Sequence, residues 1–205
     1  MNQEMTRLPA PTGLMIIDVQ RAIDDPKWTA VGPRNNLQGE ANIAALLAGW
    51  RRAAYPIIHV RHDSRFPASP YRPGQPGNEF KEEARPNPGE LVVGKRTNSA
   101  FIGTELESML RRSGIGTFVI AGVITNNSVE STVRMCGNLG FKTYLVEDAC
   151  WTFARLDYAG RLRSAEEVHA MSLANMVPEY CTVLRSDQIE ALPGFVRVAR
   201  HAGPE

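Results

Sequence analysis

One stretch near the middle of the chain, Thr117 to Arg134, constrains the fold more than any other. Its first half is an apolar run rich in β-branched and aromatic residues, which reads as a buried parallel strand ending at Ala121-Gly122. Thr125, Asn126 and Asn127 follow as N-cap types, and Val129, Val133 and Cys136 continue at helical spacing. A strand running straight into a helix makes an elbow. The first backbone N–H groups of the helix, at the positive end of its dipole, then point above the strand. Ser128 occupies that place.

The rest of the chain repeats the alternation. Gly13 to Gln20 is an apolar run that ends on Asp18, and it reads as the first parallel strand. Tyr55 to Val60, Leu91 to Gly94 with Lys95 at its end, Phe141 to Val146 and Cys181 to Leu184 supply further strands. Helices are expected over Leu37 to Ala54, Glu105 to Arg112, Ser164 to Met176 and Ser186 to Leu192, the third opened by a Ser-x-x-Glu capping box. Strands alternating with helices predict an α/β fold, a doubly wound parallel sheet three layers deep. Ligands bind such sheets at the carboxyl ends of the strands, where Asp18, Lys95 and Ser128 all fall.

A chain of 205 residues, 43% hydrophobic, suffices for one domain over residues 1–205. With 23 Lys+Arg against 22 Asp+Glu, no basic or acidic surface calls for nucleic acid or a membrane, so a small-molecule substrate is expected. Cys136, Cys150 and Cys181 lack metal spacing and read as buried hydrophobes in a reducing compartment. Met1 to Thr12 carries no apolar leader segment, which points to the cytoplasm. Arg61 to Gly89 is a long loop with six prolines, and loops of this length are usually functional. Its Arg61, His62, Asp63, Arg65 and Arg72 could receive an anionic group, although loop arginines are also commonly solvated. Trp28 either shapes the pocket or covers core. Trp151 and Phe153 are placed beyond the end of the fifth strand, and His169 reads as structural.

Gly122 to Thr132 resembles the active-site turn of the isochorismatase-like cysteine hydrolases, Gly-Val-x-Thr-(Asp/Asn)-x-Cys-Val-x-x-Thr, at every fixed position but the nucleophile. Asp18-x-Gln20, Lys95 with Ser99-Ala100-Phe101, and Glu147-Asp148-Ala149 extend the resemblance. It implies Asp18, Lys95 and Ser128 as catalytic residues, the backbone N–H groups of Ile124 and Ser128 as an oxyanion hole, and a cis Val123-Ile124 peptide. Substrate contacts fall to Gln20, Trp28, His62, Arg72, Phe101, Asn127 and Trp151. No cofactor is implied. His59, His62 and Asp63 depart from the metal-binding branch, which carries an Asp-x-His pair, so the resemblance is to the metal-free branch and no catalytic metal is expected. Homo-oligomers are implied as well.

The implied reaction is hydrolysis of a C–N bond in a small amide, ureide or carbamoyl compound, possibly carboxylate-bearing, or alternatively of a vinyl ether of the isochorismate type. Serine changes that chemistry, because its hydroxyl is far less acidic than a thiol near pKa 8.5. Three readings stand: an enzyme disabled by a Cys-to-Ser replacement, a natural serine hydrolase with Lys95 as base, and a non-catalytic paralogue that binds a ligand or a protein partner. The first is favoured, since every other catalytic position is intact. A dinucleotide fold is disfavoured because Gly114-x-Gly116 precedes its strand and lacks a third glycine.

Overall fold

A computed structural model describes residues 8, 9 and 11–191. The polar stretch before Leu8 and the expected end of the last helix at Leu192 lie outside the described residues. Six parallel strands form the central sheet: β1 (Thr12–Ile17), β2 (Ile57–His62), β3 (Leu91–Lys95), β4 (Thr117–Val123), β5 (Lys142–Trp151) and a last strand, β8 (Thr182–Leu184), in the order β3-β2-β1-β4-β5-β8. A two-stranded antiparallel hairpin, β6 (Arg155–Leu156) with β7 (Leu162–Arg163), stands apart and was not signalled by the sequence.

Helices cover both faces. On one, α1 (Gly39–Ala53) lays Ile43, Leu46, Leu47 and Trp50 against Leu14, Ile16, Val119 and Val146, and Ile189 of α5 (Ser186–Glu190) joins them. On the other, α2 (Leu106–Arg112) and α3 (Glu130–Asn138) pack Leu106, Leu110, Val133 and Cys136 on Met15, Ile17, Ile120 and Leu145. Alternate residues of β1 and β4 therefore feed opposite cores. This two-sided burial is why both strands read as continuous apolar runs. The remaining α-helix, α4 (Ala165–Ala174), starts with the expected capping box between Ser164 and Glu167. Among the described residues no helix is long and apolar enough to cross a membrane.

Two features set the geometry at the carboxyl edge. Gly122 has φ 131°, and a Cβ there would lie 2.2 Å from the Ile17 carbonyl oxygen, so only glycine lets β4 close on β1 at that level. The register between β4 and β5 also shifts past Ile120, after which Gly122 faces Cys150 and Val123 faces Trp151. That irregularity lets β5 run on to Trp151. The expectation that Trp151 lies beyond the strand is corrected: it is the strand's last residue and fully buried.

Candidate active site

Three strands deliver one polar group each to the same point. Asp18 follows β1 with φ 55°, a left-handed conformation that Asp tolerates, and its N–H still donates to Val60 O. Lys95 closes β3. Its Nζ donates to Asp18 Oδ2 at 2.6 Å, to Thr97 O at 3.0 Å and to Ser128 Oγ at 3.2 Å, with His62 Nδ1 at 3.4 Å. The three side chains are almost wholly inside the protein: Asp18 is 5%, Lys95 1% and Ser128 6% exposed.

A buried ammonium is tolerated only when paired and hydrogen-bonded, and Lys95 meets that condition on several sides. Burial pushes the Asp18 carboxyl above its usual range, even though the Lys95 ammonium and the Ser128 hydroxyl pull the other way. The second carboxylate oxygen, Oδ1, is buried with no protein partner among the described residues. An acceptor with a raised pKa and a free lone pair suits proton transfer to or from a bound molecule. Burial, and then Lys95, lower the basicity of His62.

The elbow takes a form the capping residues did not suggest. Thr125–Val129 is a wide turn of π type ahead of α3, and no side chain caps it. Its polar side chains are spent elsewhere: Thr125 Oγ1 lies 2.9 Å from His169 Nδ1, and Asn126 Oδ1 accepts from Thr152 Oγ1 at 2.6 Å. Asn127 N–H and Val129 N–H both fold back on Ile124 O. The Val123-Ile124 peptide is cis. Ile124 links the end of β4 to the turn that carries Ser128, and its carbonyl oxygen is the anchor for both of those N–H groups. Farther along, Thr132 Oγ1 accepts from Ala100 N at 3.1 Å and so fastens the segment after Lys95 to α3.

The residues expected to touch substrate divide. His62 reaches the triad. Gln20 is fully buried and spends its amide on the backbone of His62 and Asn78, so it clamps the long loop to the end of β1 and has no group left to offer. Phe101 stacks on Phe141 in the core, and Trp151 sits under the Arg34 guanidinium, 4.5 Å from the ring centre, with Nε1 unpaired among the described residues. Trp28 is half-buried, stacked on Phe153, with Nε1 donating to Ala22 O. Arg72 and Asn127 are exposed. Arg61 belongs to β2, pairs with Asp63, and faces a groove shared with Phe80 and Arg85 that contains none of the triad.

Sequence reasoning passed over Tyr71. Its ring meets His62 edge-on at 5.6 Å, and burial and then the charge of Asp18 raise its phenol well above the ordinary range. Only its place in the long loop pointed to it, since an irregular loop has no period to read. His59 lies on the opposite side of β2 from His62 and bonds Glu90 Oε2 at 2.8 Å. The described residues bring no three His, Cys, Asp or Glu side chains together as a metal site. The three cysteines are free and buried, and burial lifts the thiols of Cys136 and Cys181 to about 12.

Comparison with known proteins agrees with this fold. The isochorismatase domain model matches residues 12–188. An isochorismatase family protein of Bacillus subtilis strain 168, YrdC, is 42% identical over 86% of this chain and 92% of its own length. The ureidoacrylate amidohydrolase RutB of Rhizobium rhizogenes is 26% identical over 72% of this chain and 73% of its own. A crystal structure from Chromobacterium violaceum ATCC 12472, of a protein assigned to the isochorismatase family, superimposes with a TM-score of 0.87 at 55% identity, covering 92% of this chain and 96% of that one. The chain is a hydrolase-fold member of the isochorismatase family.

Proposed function

We propose that the site is built to hydrolyse the C–N bond of a small amide, ureide or carbamoyl compound through a covalent acyl intermediate on the side chain of residue 128. One observation carries the reading: a single buried ammonium touches both Asp18 Oδ2 and Ser128 Oγ. The amidohydrolase named among the relatives supports the same class of reaction.

In this mechanism the residue-128 side chain attacks the carbonyl carbon while its proton passes to Asp18. The carbonyl oxygen takes the charge and is held by the N–H groups of Ile124 and residue 128. Collapse expels the amine, which leaves with the proton from Asp18. Asp18 then takes a proton from water as it attacks the acyl group, and the acid departs. Lys95 keeps the nucleophile's charged form stable. A thiol, with a reference pKa of about 8.5, yields to such an environment; an alkoxide lies far beyond it. Ser128 therefore makes this chain slow or inactive as a hydrolase, and Cys at that position supplies what the rest of the site is arranged for.

A panel of 3-ureidoacrylate, biuret, N-carbamoylsarcosine and nicotinamide, assayed for ammonia, tests the proposal with this chain and its Ser128→Cys form side by side. Turnover by the Cys form alone is expected. Silence from both forms, with isochorismate also untouched, favours the second reading, a binding protein using the same pocket; Ser128 itself is the observation behind that alternative.

A further inference from the structure

The turn that carries residue 128 has no cap of its own, yet the proposed chemistry needs its backbone donor held to within about half an ångström. Helix α4 lies along it and ties it down at successive levels. Ser172 Oγ donates to Glu130 Oε2 at 2.6 Å, and Arg134 Nη2 donates to Asn175 O at 2.9 Å, both on α3. A third tie reaches the turn itself: the buried ring of His169 meets Thr125 Oγ1 through Nδ1 at 2.9 Å. Thr125 is the residue after Ile124, which the proposed mechanism uses as an oxyanion donor, and comes three before Ser128.

We propose that His169 is a positioning residue: through Thr125 it fixes the turn so that Ile124 N–H and the residue-128 side chain face the same point. The proposal rests on the amidohydrolase reading for its catalytic consequence and on geometry alone for its structural one. Burial lowers the basicity of the imidazole. The ring also hydrogen-bonds the Glu147 backbone, and a neutral ring can join the Thr125 hydroxyl in either tautomer, as acceptor or as donor. What matters is a polar atom where Nδ1 sits. Asparagine can put one there; phenylalanine fills the same space and cannot.

Both arms of the test use the full chain with Ser128→Cys. Cys136, Cys150 and Cys181 are buried with raised thiol pKa values, so iodoacetamide reports residue 128. In amide turnover, H169F and T125V are expected to lose about 10- to 100-fold in kcat with KM nearly unchanged, the scale of a misplaced reacting group. H169N and T125S are expected to stay within a few-fold, and the double variant H169F/T125V to be no worse than either single one. H169N falling as far as H169F, or fully additive losses, overturns the proposal. In the alkylation arm, H169F and T125V move the midpoint of the pH–rate profile upward, because residue 128 drifts from Lys95, while H169N leaves it in place. If no amide is hydrolysed, the amidohydrolase reading fails by itself, and the alkylation arm still decides: profiles identical in all variants overturn the positioning role.

Discussion

Replacing Lys95 by methionine keeps the length of the side chain and removes its charge. The ammonium it deletes is the only cation hydrogen-bonded to Asp18 among the described residues, and the carboxylate left behind is 5% exposed with Oδ1 already unpartnered. Breaking a buried pair from one side costs about 3–5 kcal/mol, because the surviving charge stays desolvated. For a chain of this size that is a fall of roughly 6–20 °C in Tm. The penalty depends on pH in a defined direction. Burial already sets the folded pKa of Asp18 above the ordinary carboxylate range, and losing Lys95 raises it further. A group whose pKa is higher in the folded state contributes stability below its unfolded pKa and loses it as pH rises through the folded value. The variant should therefore be nearest the parent around pH 4 and farthest from it around pH 8. Adding Asp18→Asn removes the stranded charge and should recover most of the loss. Urea unfolding of the parent, both single variants and the double variant at several pH values checks this. A cost that is the same at every pH, or a double variant as unstable as Lys95→Met alone, would refute the reasoning.

Other consequences are simpler to measure. Glu90 is partly desolvated, which would raise its pKa, but the Arg51 fork, the Asn87 N–H and His59 outweigh that and hold it at about 2. Its contribution is present above the unfolded value and is lost as pH falls toward 2. Glu90→Gln should thus cost about 1–2 kcal/mol near pH 6, after allowing for solvent screening, and flatten the acid limb of the stability curve. Gly122→Ala forces a Cβ into Ile17 O at a φ of 131°, so it should destabilise by more than about 3 kcal/mol or prevent soluble expression. Thiol titration of the native chain should find no fast-reacting cysteine, and the Ser128→Cys form should show one. All four groups should react in denaturant.

What the sequence made legible follows from what kind of contact each residue makes. Asp18, Lys95 and the elbow stand at the ends of apolar runs, so strand periodicity and the rule for parallel sheets place them together before any coordinates exist. Trp151 was misplaced because β5 outlasts its apolar run: past the register shift it continues through Glu147 and Asp148. Phe101 and Gln20 sit at positions shared with a family pattern, but here their side chains serve packing and loop anchoring, and a pattern does not distinguish those duties from ligand contact. Thr125 shows the same limit in another form. It has the composition of a cap, and its hydroxyl instead pairs with a histidine 44 residues away, a distance no local rule spans. Tyr71 and Asn78 belong to the long loop, where side-chain hydrogen bonds such as Asn78 Nδ2 to His62 O and Tyr71 O set the path.

The most direct test of the central claim is intact-mass analysis of the Ser128→Cys chain quenched during turnover of the best substrate in the panel. A covalent adduct with the mass of the acyl portion, mapped by peptide digestion to residue 128 and lost when Asp18→Asn removes the group that takes the nucleophile's proton and protonates the leaving amine, is the predicted result. Ammonia release without any adduct in either form, or an adduct on another residue, would contradict the assignment of residue 128 as the nucleophile.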